Sequence, residues 1–175
     1  MAGLGGMGVL IAAELLALAA LTEYRYVTWV PSYYTTMRGG PCECTVIFSQ
    51  EEIASPLLPQ AEAVIVFDAS QLRLFEGRVR PGGLLVIEAA GLDEESKRDD
   101  VRVLKVPGLE IAVGIGGTQG ANFVLLGTYV TASKAIAAQL VERELEQRFT
   151  GRESLLRING GALRKGLELG KDLVA

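Results

Sequence analysis

The chain has 175 residues, of which 49% are hydrophobic and 22% are charged, and its formal net charge is −4 at pH 7. This length and composition predict one folded domain with a substantial core, and they exclude a disordered chain. The 17 basic residues are outnumbered by 21 acidic ones and form no basic cluster. The charge balance therefore argues against a nucleic-acid partner, because such binding depends on a basic face.

The sequence contains no histidine and only two cysteines, Cys42 and Cys44. Histidine is the commonest general base and zinc ligand, and an iron–sulfur cluster needs about four ligands, so no metal site is predicted in this chain. A bridge between cysteines two residues apart in a strand would be strained, which favours reduced thiols and a cytoplasmic protein. The apolar stretch 7–21 includes Glu14, is short and lacks a basic flank, so a buried helix is predicted rather than a membrane span or a secretion signal.

The predicted elements mostly alternate between strands and helices. A glycine turn at residues 3–8 begins the first helix, and strands are predicted at 25–30, 42–48, 63–68, 84–87 and 101–106, with a short helix at 70–75. A turn is predicted at 81–83. Helices follow from residue 108 onward, including one at 133–149 and a last one at 152–171 that is interrupted or capped near Gly160–Gly161. This order predicts an α/β fold of Rossmann-like type, with three α/β/α layers and a mainly parallel sheet.

The turn at residues 3–8 matches G-x-G-x-x-G, with Gly5 and Gly6 at its centre. Such a turn lets backbone N–H groups approach a phosphate at the start of a helix. The alternative is a tight turn that only packs the helix on the sheet. That alternative is favoured because no strand is predicted ahead of the motif, so that the first strand is missing, and because Val30–Pro31 stands where a ribose-binding acid is expected.

The segment 31–40 lies between two predicted strands and combines tyrosines, hydroxyls, an arginine and a Gly-Gly pair. It is longer than a tight hairpin turn, and loops on a rigid scaffold often bind ligands. The Arg38 guanidinium beside the N–H groups of Gly39 and Gly40 suits a carboxylate or a phosphate. The alternative is an exposed arginine ahead of a glycine turn.

Asn122 follows a second glycine-rich segment, 116–122, which begins a predicted helix. This segment either faces a ligand or a neighbouring subunit, or Asn122 or Thr118 merely caps the helix, and the capping alternative is favoured. Catalytic constellations are absent from the sequence, and Asp68 is the best isolated carboxylate. No catalytic residue is assigned, and the chain is not predicted to be an enzyme by itself.

The ordered set of these features resembles a known family. A glycine turn that begins a helix is followed by a strand ending in Pro-Ser-Tyr, by Arg-Gly-Gly, by a strand with Cys-Thr-Val, by Ser55-Pro56, and by an apolar strand with a Pro-Gly-Gly turn. From Gly3 to about Gly170, this order is similar to the gamma subunit of 2-oxoacid:ferredoxin oxidoreductases, the pyruvate, 2-oxoglutarate, 2-oxoisovalerate and indolepyruvate enzymes. Met7, Tyr34 and the segment 41–44 depart from the family pattern, and Glu43 offers Arg38 an alternative partner.

The resemblance implies that residues 1–175 form a single gamma-type domain of a thiamine-diphosphate enzyme. That enzyme decarboxylates a 2-oxoacid oxidatively to an acyl-CoA and passes electrons to ferredoxin. Thiamine diphosphate and the iron–sulfur clusters are then expected on the partner subunits, alpha, beta and a ferredoxin-like delta, with coenzyme A a candidate ligand at the interface. The expected cofactor-binding residues are Gly5, Gly6, Ser32, Tyr33, Met37, Arg38, Gly39, Gly40 and Asn122.

Two other functions stay open at this point. One is a stand-alone Rossmann-type protein that binds a nucleotide or coenzyme A. The other is a structural scaffold that holds subunits together without contacting a ligand.

Overall fold

A computed structural model describes residues 1–33 and 39–173 of the chain. Six strands form one sheet in the spatial order β2-β3-β1-β4-β5-β6. Their bounds are β1 (Ala2–Leu4), β2 (Tyr26–Tyr33), β3 (Pro41–Ser49), β4 (Ala61–Val66), β5 (Val79–Glu88) and β6 (Arg102–Val106). The pairs β1–β4, β4–β5 and β5–β6 are parallel, whereas β1–β3 and β2–β3 are antiparallel. The predicted α/β fold with a mostly parallel sheet is confirmed.

The helices cover both faces of this sheet. They are α1 (Val9–Ala20), α2 (Leu72–Phe75), α3 (Gly108–Ile115), α4 (Ala121–Ser133), α5 (Ala138–Arg148) and α6 (Glu153–Asp172). Side chains alternate between the faces, so Leu84 and Val86 join the large core with α1 and α4, while Leu85 and Ile87 join a smaller core with α2. Burial on both faces explains why β4 and β5 read as continuous apolar runs.

A strand lies ahead of the glycine turn, which corrects the expectation of a missing first strand. β1 pairs with β3 on one side and with β4 on the other, and Phe67 N–H donates to the Ala2 carbonyl at 2.7 Å. Its three residues, Ala-Gly-Leu, are too few for an alternating pattern and include no β-branched side chain. The hydrophobic pattern of the sequence therefore could not predict β1.

The loop predicted at residues 31–40 is shorter in the structure, because its first three residues belong to β2. β2 runs on through Tyr33 and pairs antiparallel with β3, with Tyr33 opposite Cys42, so the two strands form a β-hairpin. Pro31 is tolerated in β2 because that strand lies at the sheet edge. Residues 34–38 of the connection lie outside the described residues.

Three predictions in the remaining chain were wrong in detail. The expected turn at 81–83 lies inside β5, where Gly82 has a φ of +74° and the pairing with β4 shifts register. The expected helix at 133–149 is two helices, because Lys134 adopts a left-handed conformation with φ +55° and ends α4. Conversely, α6 continues without interruption through Gly160–Gly161.

Candidate functional site

The candidate site lies where β1 and β4 end, at the point where the connections leave the sheet on opposite sides. The chain leaves β1 through the glycine turn into α1, which packs in the large core. It leaves β4 toward α2, whose Leu72 and Phe75 belong to the smaller core on the other face. In open α/β sheets, ligands bind in the crevice beyond the carboxyl ends of such strands.

The glycine turn has a backbone that requires glycine at two positions. Gly6 has a φ of +95° and Gly8 a φ of +75°, a region that side chains with a Cβ rarely adopt. Gly8 is the N-cap of α1, and within residues 1–33 and 39–173 no side chain caps the helix or places an acid in its first turn. The first N–H groups of α1 therefore have no hydrogen-bond acceptor in the helix and none on a side chain of the described residues. They can donate hydrogen bonds to a bound anion.

The structure brings the glycine turn at residues 3–8 and the Gly39–Gly40 pair together. Gly5 N–H donates to the Gly40 carbonyl at 2.8 Å, and a Cβ added to Gly5 would lie 3.3 Å from the Gly39 nitrogen. Gly5 and Gly6 therefore sit beside Gly39 and Gly40. A cavity of about 350 Å³ adjoins this contact, and Gly6, Leu10, Gly40 and Pro41 are among its lining residues. We call it the glycine cavity.

The other predicted residues of the hairpin are placed only in part. Ser32 is exposed and lies opposite Glu43, and Tyr33 closes the described end of β2. Met37 and Arg38 lie outside the described residues. Glu43 has a partner other than Arg38, because its carboxylate accepts a hydrogen bond from the Arg78 guanidinium at 2.7 Å.

Asn122 lies on the other side of the glycine turn. Its side chain is 4% exposed, and its Nδ2 donates to the Gly8 carbonyl at 3.1 Å. The prediction that Asn122 or Thr118 caps the following helix was wrong, because Gly120 is the N-cap of α4 and no side chain of the described residues caps this helix. Asn122 instead joins the N-terminus of α4 to that of α1.

A second cavity, of about 500 Å³, lies on this side and contains residues that were not among the predicted binding residues. We call it the asparagine cavity. Asn159 of α6 reaches it, and Glu88 lies at its edge, where β5 ends. Glu88 is predictable in part, since it follows the apolar run of β5, but Asn159 lies within a helix and carries no local signal.

Glu88 is a buried carboxylate that holds two chain segments together. Its oxygens accept the N–H of Ala90 at 3.0 Å and that of Leu109 at 3.1 Å. Burial raises its pKa, and the backbone hydrogen bonds counteract that rise only in part. The side chain therefore anchors the start of α3 to the end of β5. Asp68, the other carboxylate of this cavity, accepts the Ser70 N–H at 3.0 Å.

The site contains hydrogen-bonding groups that can bind a ligand. In the ranges 1–33 and 39–173, no three His, Cys, Asp or Glu side chains cluster as metal ligands would. Over the same ranges, no helix is both long enough and apolar enough to cross a bilayer. What the site offers is backbone N–H groups on one side of the glycine turn and amide oxygens on the other.

This geometry defines an α/β protein with a glycine turn at the switch point of its sheet. A family model described as pyruvate ferredoxin/flavodoxin oxidoreductase matches residues 1–169. The chain belongs to that family.

Relatives agree with this assignment. The ketoisovalerate oxidoreductase subunit VorA of Methanothermobacter marburgensis is 34% identical over 168 residues, which cover 95% of this chain and 35% of the relative. The chain thus spans about a third of the VorA relative's length. The common gamma subunit of the pyruvate/ketoisovalerate oxidoreductases of Thermococcus litoralis is 27% identical and matches over 95% of this chain and 92% of its own length.

Among solved structures, the gamma subunit of a keto/oxoacid ferredoxin oxidoreductase from Geobacter sulfurreducens superposes with a TM-score of 0.83 at 21% identity. The superposition covers 98% of this chain and 96% of that one. The 2-oxoglutarate:ferredoxin oxidoreductase of Magnetococcus marinus, solved with 2-oxoglutarate, coenzyme A and succinyl-CoA bound, gives a TM-score of 0.87 at 22% identity over 98% of this chain and 30% of that one. At these identities the likeness shows a shared fold.

Proposed function

We propose that this chain is the gamma component of a thiamine-diphosphate-dependent 2-oxoacid:ferredoxin oxidoreductase, in which it forms a single domain over residues 1–175. The enzyme converts a 2-oxoacid and coenzyme A to an acyl-CoA and carbon dioxide, and the electrons released reduce ferredoxin. The observation that carries this proposal is the family match over residues 1–169.

Catalysis belongs to the partner subunits in this proposal. The chain has no histidine, and two cysteines are too few to hold an iron–sulfur cluster. Thiamine diphosphate and the clusters are therefore assigned to alpha, beta and a ferredoxin-like delta subunit. The two thiols, Cys42 and Cys44, are buried and unbridged, which supports a reducing compartment, the cytoplasm.

Coenzyme A is the ligand that we assign to the glycine cavity. The cavity adjoins the uncapped N-terminus of α1, where the N–H groups of Val9, Leu10 and Ile11 precede the first helical bond, from Ala12 N–H to the Gly8 carbonyl. Such a terminus favours a phosphate group. The Gly5 N–H is already bonded to Gly40, so the helix rather than the centre of the turn provides the donors.

The first experiment is affinity purification of the tagged chain from its native cell, followed by mass spectrometry and an assay of electron-acceptor reduction. We expect thiamine-diphosphate and iron–sulfur subunits to copurify, with an activity that requires both a 2-oxoacid and coenzyme A. A chain that purifies alone and binds a nucleotide or coenzyme A by itself would support the stand-alone alternative instead.

Arg38 is tested in the same complex, because the sequence places it next to Gly39 and Gly40. Arg38→Ala should raise the KM for coenzyme A, and Arg38→Lys should restore part of the affinity, because lysine keeps the charge but loses the bidentate geometry. Unchanged kinetics and assembly in Arg38→Ala would remove Arg38 from the site.

A further inference from the structure

The asparagine cavity contains two buried amide oxygens that the fold leaves without hydrogen bonds. The chain has only two asparagines, Asn122 and Asn159, and both side chains line this cavity. They are 4% and 3% exposed. Within the part of the chain that the structure describes, neither Oδ1 atom has a hydrogen-bond partner. Buried acceptors without partners are rare and costly, so a donor from outside the chain is the simplest explanation.

The two asparagines reach the cavity from different helices. Asn122 comes from the first turn of α4, where its Nδ2 is fixed by the Gly8 carbonyl, and Asn159 comes from the interior of α6. Because the Asn122 amide already donates through its nitrogen, its oxygen is the atom that stays available as an acceptor. A ligand that reaches both side chains would bridge helices far apart in sequence.

The charges around the cavity disfavour an anion as its ligand. Its lining includes the carboxylates of Glu88 and Asp68, and among the described lining residues there is no lysine or arginine. These carboxylates are also poor partners for a cation. Glu88 accepts two backbone N–H groups, and Asp68 accepts hydrogen bonds from the backbone and side chain of Ser70. A neutral ligand is the class that remains.

The rest of the lining favours a ring. Phe67, Phe123, Phe149, Leu109 and Leu155 are among the lining residues, and the rings of Phe123 and Phe149 meet edge to face with their centroids 6.0 Å apart. A cavity of about 500 Å³ lies within the range of small-molecule sites, which combine an apolar wall with a few polar groups.

The geometry points to a binding site for a neutral, ring-bearing molecule whose N–H groups donate to the oxygens of Asn122 and Asn159, such as a ring carboxamide or a ring amine. This site lies across the glycine turn from the glycine cavity, and its acceptor oxygens differ in chemistry from the N–H donors that face the phosphate of coenzyme A. The inference depends only on this chain's own residues and does not require the proposed enzyme complex.

Three probes of similar size test it on the full chain. Benzamide has a ring and two N–H donors, toluene has the ring without donors, and benzoate has the ring with an anionic acceptor. The chain is labelled with [¹⁵N]asparagine, so that only two residues give side-chain amide resonances. We expect benzamide to shift both side-chain resonances in a saturable manner and to bind about tenfold more tightly than toluene or benzoate.

Asn159→Leu removes one acceptor and approximately preserves side-chain volume. Benzamide should then bind no more tightly than toluene, while thermal stability is kept or raised because a buried unpaired acceptor is gone. Glu168→Gln is the matched control, since Glu168 lies on the same helix but is exposed and pairs with Lys165. That variant should bind benzamide like the parent chain.

Three results would overturn the inference. Equal affinity for toluene and benzamide would make the cavity a merely apolar void, and tighter binding of benzoate would contradict the charge argument. No shift of either asparagine at millimolar benzamide would mean that water or the fold itself satisfies the two oxygens. None of these results bears on whether the chain assembles with partner subunits.

Discussion

Cys44 shows how burial alone can control the chemistry of one side chain. It is 1% exposed, and burial raises the pKa of its thiol to about 11; the pKa of Cys42 is raised for the same reason. Because the thiolate is the reactive form, we expect both cysteines to react slowly with iodoacetamide at pH 8 in the folded chain and rapidly in urea. Mass spectrometry measures the extent of modification over time. Rapid modification of the folded chain would contradict the raised pKa values of the two thiols.

The same pKa shift predicts how stability depends on pH. The folded state holds the Cys44 proton more tightly than the unfolded state, so its contribution is complete below pH 9.0 and is lost as pH rises to about 11. Urea unfolding at steps across this interval should show a falling free energy of unfolding. In Cys44→Ala the decline should be shallower between pH 9 and 11, whereas any decline caused by Tyr129, whose pKa burial raises to about 12, should persist.

The glycine turn gives a second prediction at the scale of one residue. Gly6→Ala and Gly8→Ala both force a Cβ into a backbone with positive φ, which costs about 1–2 kcal/mol. At Gly6 the added Cβ meets no atom of the described residues within 4 Å, whereas at Gly8 it would lie 2.4 Å from Asn122 Nδ2. Gly8→Ala should therefore be the more destabilising variant in urea unfolding. Equal losses for the two variants would mean that the Asn122 contact carries no cost.

The pairing of α4 with α6 depends on glycines that let the two helices approach closely. A Cβ added to Gly127 would lie 2.4 Å from the Leu163 carbonyl oxygen, and one added to Gly166 would lie 2.1 Å from that of Val124. Thr128 uses the short separation to donate from its hydroxyl to the Gly166 carbonyl at 3.3 Å. Glycine thus serves here as a contact surface in the interior of two helices, although it weakens each helix in isolation.

Two alanine substitutions in α6 separate these two effects of glycine. Gly160→Ala puts its Cβ no closer than 3.6 Å to any neighbour, so it should stabilise the chain by about 0.5–1 kcal/mol through helix propensity. Gly166→Ala should destabilise it by about 1–3 kcal/mol or more, because the backbone of α4 must move. Thermal and urea unfolding of both variants measure the difference. A neutral Gly166→Ala would show that the helices do not pack this closely.

At the scale of elements, the sequence predicts what depends on local pattern and misses what depends on contacts between distant segments. The strands β4 and β5 follow from apolar runs, since burial on both faces leaves a continuous signal. β1 was missed because its three residues are recognisable only once β3 and β4 lie on either side. The sequence predicts an interruption or cap at Gly160–Gly161, whereas α6 is continuous there and packs against other helices that local sequence does not reveal.

The site follows the same rule. The segments containing Gly5 and Gly40 could each be singled out from the sequence, but their contact depends on the β1–β3 pairing, which brings residues far apart in the chain together. Asn159 is a mid-helix residue with no local signal, and it becomes informative only because α6 carries it to the cavity that Asn122 lines. Ordered sets of short motifs revealed the family, whereas the cavities needed the structure.

For the whole molecule, the two cavities on either side of the glycine turn provide opposite hydrogen-bonding groups at one edge of the sheet. The glycine cavity adjoins the first N–H groups of α1. The asparagine cavity contains two carboxylates and two amide oxygens that have no hydrogen-bond partner among residues 1–33 and 39–173. One turn, with Gly6 and Gly8 shared by both linings, thus separates a surface suited to anions from one suited to neutral donors. A change of charge on a residue that lines only one cavity should therefore change the affinity for the ligand of that cavity and leave the affinity of the other cavity unchanged.

Pro41 allows that separation to be measured in the proposed complex. It is exposed at the start of β3 and lines the glycine cavity, so a carboxylate there would face the phosphates of coenzyme A. Repulsion over about 10 Å, partly screened by salt, costs roughly 1 kcal/mol, which corresponds to about a fivefold change in affinity. Pro41→Glu should raise the KM for coenzyme A by about that factor and leave the KM for the 2-oxoacid unchanged, with the rise shrinking as salt is added.

Pro41→Gln adds a side chain of the same size without the charge, so it should behave like the parent, and gel filtration should find both variants assembled. If both variants change the KM equally, the side chain acts through its shape, and the phosphates of coenzyme A do not lie at this cavity.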